Sequence, residues 1–210
     1  MTHLQRSLIT MSIFVTCSHL VCGEETEEGT KKTIEAPSPD GKFAFRYTGE
    51  SDSEKQTYDL IDNASGKVLM SVAESDPDFG PSARFNMEVL WRPDSKAFAL
   101  TATLWKRGSS VAVYMRDGST FREIKLPELV ADIPDKVKRG KSFPHFSEWN
   151  GHSAKRWQKD GSLVVEIETT EDGNEEGLSV TATRTVVLGF DRSDKAKILK
   201  STIKFVTEKP

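Results

Sequence analysis

The stretch from Val89 to Leu126, VLWRPDSKAFALTATLWKRGSSVAVYMRDGSTFREIKL, constrains the fold more than any other part of the chain. Between Lys96 and Trp105, Phe98, Leu100, Ala102 and Leu104 alternate with Ala97, Ala99, Thr101 and Thr103. Period two predicts a strand, and its second face is small but partly apolar, so both faces have something to bury. A second alternating run, Ser110 to Arg116, follows Arg107-Gly108-Ser109, and Asp117-Gly118 turns the chain into a third run ending at Leu126. An Asp-Gly pair between alternating runs signals a hairpin, because glycine tolerates positive φ without a Cβ clash. At the front, Pro93-Asp94-Ser95 makes a turn in which proline presets φ and the aspartate can accept from the amides that follow it. Four consecutive antiparallel strands are the expected result.

The same order of turn and strands occurs on either side. Upstream, Pro39-Asp40-Gly41-Lys42 precedes FAFRYT, TYDLID, a turn at Asn63 to Gly66, and KVLMSV. Downstream, Lys159-Asp160-Gly161 precedes SLVVEIETT, VTATRTVVLGF, a turn at Asp191 to Asp194, and KAKILKSTIKF. Asp94 follows Asp40 by 54 residues, and Asp160 follows Asp94 by 66. Repeats of this size suit propeller blades. The segments SPDGKFAF, LWRPDSKAFAL and, more loosely, RWQKDGSLVVE resemble the Pro-Asp repeats of TolB-like β-propeller proteins, over roughly residues 34 to 207. The resemblance implies stacked four-stranded blades and a non-enzymatic interaction role outside the cytoplasm.

The expected architecture is therefore all-β: three consecutive four-stranded antiparallel units at about 34–74, 85–126 and 149–207, with an insertion at 127–148. Closed propellers have about four to eight blades, so the array is expected to be open or incomplete, or else a β-sandwich. A homodimer sharing six units is a further arrangement. Because FAF, FALTATL and VVEI carry apolar atoms on both faces, neighbouring units must cover one another.

Residues 1–23 have the layout of a secretory signal. His3 and Arg6 lie in a short leading region, no acid precedes Glu24, and the runs LITMSIFV and SHLVC are too short to span a membrane. Val21 and Gly23 fit a cleavage site after Gly23, which predicts a periplasmic or secreted protein. Both cysteines, Cys17 and Cys22, fall inside this segment. Cys22-Gly23 before the polar EETEEGTKK also admits lipid anchoring through Cys22, although His19-Leu20-Val21 departs from the aliphatic-small-small pattern such anchoring needs. Residues 24–33 are charge-dense and read as a disordered linker, followed by a single domain at 34–207. A net charge of −3 offers no clustered basic face for nucleic acid, and no later run is long and apolar enough for a transmembrane segment.

Chemistry-bearing residues concentrate after Leu126. PELVADIPDKVKRGK holds a short helix limited by Pro134, and SFPHFSEWNGHSAKRW then brings His145, Glu148 and His152 close in sequence. These are metal-ligand residue types, but their spacing matches no His-Glu-x-x-His helix and Gly151 argues against a helix there. Two surface histidines beside a turn is the plainer reading. An extracytoplasmic hydrolase or metal-binding protein around His145 to His152 is the alternative to the interaction module, and such an enzyme would need a nucleophile and an orienting partner for its base. No Gly-x-Ser-x-Gly elbow and no phosphate-cradling glycine loop occurs, so no cofactor is expected.

Trp105, beside Lys106 and Arg107, and Trp149 are the candidates for an exposed patch that binds another protein. Trp91 and Trp157, just before the strand turns, are placed to pack between units. Asp76 and Asp78 lack the further ligands of a calcium loop and read as a solvated turn. The cluster Lys136, Lys138, Arg139 and Lys141 reads as a solvated loop, and Glu171 to Gly177 as an acidic hairpin tip.

Overall fold

Wherever apolar and polar residues alternate, the computed structural model places strands, and it describes residues 24–25, 31–49, 56–74, 86–104, 108–146, 151–174, 176–191 and 195–208. The signal-like segment, and with it Cys17 and Cys22, lies outside these, as do Asp76 and Asp78. The first unit comprises β2 (Lys31–Glu35), β3 (Phe43–Thr48), β4 (Thr57–Asp62) and β5 (Val68–Glu74), preceded by the two-residue β1 (Glu24–Glu25). The second is β6 (Asn86–Trp91), β7 (Ala97–Leu104), β8 (Gly108–Asp117) and β9 (Thr120–Glu123). The third is β11 (Gly151–Trp157), β12 (Leu163–Asp172), β13 (Ser179–Phe190) and β14 (Ala196–Glu208). Between the last two lie α1 (Asp135–Lys138) and β10 (His145–Phe146).

Within each unit every neighbouring pair is antiparallel. The first unit is one sheet, β1-β2-β3-β4-β5, while the second and third are joined into a nine-stranded sheet. The joint is a single parallel pair, Gly151 with Ser109, between β11 and β8. It is close: a Cβ on Gly151 would lie 2.7 Å from Ser109 Oγ, which donates to the His152 carbonyl at 2.8 Å. Glycine leaves room there for the Ser109 hydroxyl in the position that makes this bond.

Two sequence expectations shift. Residues 31–33 belong to β2 rather than to a linker, because Lys32, Thr33 and Ile34 pair with the edge of β3. The turn after β8 is Gly118-Ser119, since Asp117 itself pairs with Thr120; Gly118 takes φ 62°.

The second unit is the middle layer, and its alternation divides the core. Phe98, Leu100, Tyr114 and Phe121 face the first unit, where they meet Phe43, Phe45, Tyr58 and Leu60. Phe98 is fully buried and packs on Phe45, Trp91, Tyr114 and Phe121, with ring centroids 4.7 to 5.2 Å apart. The intervening residues Ala97, Ala99, Val113 and Met115 face the third unit, against Leu163, Val165, Ile167, Val186 and Leu188. Small alanines on that face let the layers approach closely. The larger sheet thus folds back on itself: the Ala154 amide in β11 donates to Thr101 Oγ1 of β7 at 3.1 Å.

The insertion is a strap over this second core. Leu129, Ala131 and Ile133 alternate inward and are buried in the same cluster, with Val137 and Phe143 packed against it. Arg184 Nη1 donates to the Val130 carbonyl at 2.7 Å, and Lys138 Nζ meets Glu171 Oε2 at 2.6 Å. Lys138 is therefore a fixed ion-pair partner rather than part of a solvated cluster. The helix α1 starts directly after Pro134, its N-cap, whose backbone is extended. No helix among the described residues is long and apolar enough to cross a membrane.

Candidate functional site

The three turns between the first and second strands of each unit share one design. The carboxylates of Asp40, Asp94 and Asp160 accept from the amides of Lys42, Lys96 and Ser162, two residues on, at 3.2, 3.0 and 3.0 Å. At Asp160, the Ser162 hydroxyl and amide hold the carboxyl below the usual range. At Asp94, desolvation works upward but is outweighed by the Arg92 guanidinium and the Lys96 amide, so its pKa is lowered too. The residue after each aspartate has positive φ: Gly41 at 70°, Gly161 at 81° and, without glycine's freedom, Ser95 at 58°. Ser95 is buried, and its hydroxyl accepts the Asp40 amide at 3.0 Å, stapling the first turn to the second.

A second interunit bond repeats in register. Trp91 donates through Nε1 to the Ala36 carbonyl at 2.8 Å, and Trp157 donates to the Leu90 carbonyl at 2.9 Å. Each tryptophan stands three residues before its turn aspartate, and each accepting carbonyl four before its own. Both are partly buried between units, where the sequence placed them.

At the junction of the second and third units this scaffold leaves a cleft of about 530 Å³, lined by Arg92, Lys96, Met115, Arg116, Gly118, Phe190 and Asp191. Three lining residues are cationic and two of these are held in place. Arg92 pairs with Asp94 at 2.8 Å and lies over the Trp157 ring, 5.7 Å from its centroid. Arg116 Nε donates to the Gly118 carbonyl at 3.1 Å, and its guanidinium lies 5.1 Å from the Phe43 ring centroid. Lys96 is exposed at the rim. Opposite them, Phe190 packs on Trp157 at 5.8 Å, and Asp191 accepts the Lys195 amide at 3.0 Å. The arrangement joins fixed positive charge to an apolar wall.

The histidines proposed from sequence do not meet. His145 pairs with Asp172 and His152 with Ile167 on β12, five positions apart, which is roughly 17 Å along a strand. His145 is exposed; burial lowers the pKa of the half-buried His152, partly offset by its hydrogen bond to the Leu129 backbone. Glu148, Trp105 and Trp149 lie outside the described residues. Among the described residues no group of three or more His, Cys, Asp or Glu side chains is gathered for a metal ion.

Sequence reasoning missed Arg92, Lys96 and Arg116 as a group. The available signal was topological: in a meander the first and third turns fall at the same end, which brings residues 92–96 beside 116–118.

No protein-family model matches the chain, and neither a curated protein nor a solved structure is significantly similar to it.

Proposed function

We propose that this protein is a non-enzymatic, extracytoplasmic interaction module whose three units are propeller-like blades of the Pro-Asp, TolB-like kind. The observation that carries this reading is β14. It is a 13-residue strand at the end of the larger sheet, with no strand on its outer edge among the described residues. Leu199, Ile203 and Val206 on it are 53%, 41% and 57% exposed. Lysines are a common guard on sheet edges, and Lys197, Lys200 and Lys204 stand between the apolar residues. An edge with that alternation suits an added strand carrying acidic and apolar side chains. The blade-like reading is supported by the repeated turn aspartates and tryptophan bonds.

The test is retention of an extracytoplasmic partner on immobilised wild-type protein and on the Leu199→Glu/Val206→Glu variant. Binding by the wild type, lost in a variant with unchanged melting temperature, is the expected result; equal retention by both would remove β14 as the surface. The extracytoplasmic half is checked separately by N-terminal sequencing of the exported protein, which is expected to begin at Glu24.

A further inference from the structure

We infer that the cleft between the second and third units binds a small anionic ligand, an oxyanion group joined to an apolar body. The inference goes beyond the interaction role and does not depend on β14. Its volume of about 530 Å³ falls in the usual range for small-molecule sites, roughly 300 to 1,000 Å³. Arg92 and Arg116 have their guanidinia fixed by aromatic rings and by Asp94 or the Gly118 carbonyl, so little side-chain freedom is lost when an anion arrives. Lys96, exposed at the rim, supplies a third positive charge between them along the chain. Asp191 in the lining accepts the Lys195 amide but keeps its charge, and Asp94 is paired with Arg92; against the three cations these two carboxylates leave an excess of one positive charge (3 − 2). Phe190 and Met115 supply the apolar wall that a bare inorganic ion would leave unused.

Carboxylates and phosphates share this chemistry, so the probes are chosen to separate the oxyanion from the body attached to it. The full chain, labelled with ¹⁵N, is titrated with phenyl phosphate, phenylacetate, inorganic phosphate and sodium chloride while amide shifts are followed. Saturable shifts at Lys96, Gly118 and Asp191 are expected with phenyl phosphate or phenylacetate, whichever oxyanion is the better fit. Affinity for the preferred probe should exceed that for inorganic phosphate by about tenfold. Lys96→Met and, separately, Arg116→Gln should each weaken binding by about tenfold, at unchanged melting temperature for Lys96→Met. Shifts that grow linearly and match those of sodium chloride, or that persist in both variants, would overturn the site. Equal affinity for inorganic phosphate would overturn the ligand class.

Discussion

Ser95 shows how one residue can be held in an unfavourable conformation by a bond to another unit. A non-glycine residue at φ 58° costs about 1–2 kcal/mol, and the neighbouring units put glycine at that place. What offsets the cost is the partly buried bond from the Asp40 amide. Ser95→Ala keeps the strain and loses the bond, so it should destabilise by about 1–3 kcal/mol in urea unfolding. Ser95→Gly loses the same bond but releases the strain, and should be less damaging by about 1 kcal/mol. The opposite order would mean that the positive φ of Ser95 carries no strain, and a negligible loss in both variants would mean that the staple contributes nothing. Trp91 and Trp157 offer a matched pair. Trp91→Phe and Trp157→Phe each keep most of the ring but orphan a carbonyl, at about 1–3 kcal/mol apiece. Because they sit in different cores, the double variant should be additive within about 0.5 kcal/mol. Tyr114 adds a pH dependence: burial, aided by the charge and hydrogen bond of Glu123, pushes its phenol up to about 12. The folded state therefore holds that proton more tightly than the unfolded chain. This stabilisation is complete below about pH 10 and lost as pH rises through 12, where tyrosine absorbance and unfolding should move together.

The strap at 127–143 decides how the core between the second and third units is closed. Its alternating Leu129, Ala131 and Ile133 were present in the sequence, but Pro127 and Pro134 broke the run, and the histidines beyond it drew attention to chemistry instead. Three contacts latch it: Arg184 to Val130, Lys138 to Glu171, and His152 to the Leu129 backbone. Since burial lowers the His152 pKa, the folded state resists its protonation, and stability should be lost as pH falls below about 6.5. The melting temperature should accordingly drop between pH 7 and pH 5.5, and His152→Gln should flatten that dependence. An unchanged slope in the variant would assign the acid sensitivity elsewhere.

For the whole molecule, the strands and turns were legible because each is written locally: alternation fixes the faces, and Asp-Gly or Pro-Asp pairs fix the reversals. The two-sided middle unit was also legible, since Phe98 and Ala99 announce opposite faces that both need cover. The cleft was not, because Phe190, at the end of β13, reaches Arg92 and Arg116 only through the fold-back of the larger sheet. The same register bears on whether the stack continues. The carbonyl of Arg156 stands where Ala36 and Leu90 accept an indole, yet the first unit has Pro37 at the tryptophan position and could not supply one from a second copy. The outward face of the third unit carries the Lys155–Glu166 ion pair and the Thr170–Thr181 hydrogen bond, a polar ending of the kind that caps repeat arrays. Three units, closed by the strap and the polar outer face, are expected to suffice in one chain. Light scattering on the purified protein tests it most directly: a mass of one chain across the concentration range is predicted, and a stable two-chain mass would contradict it.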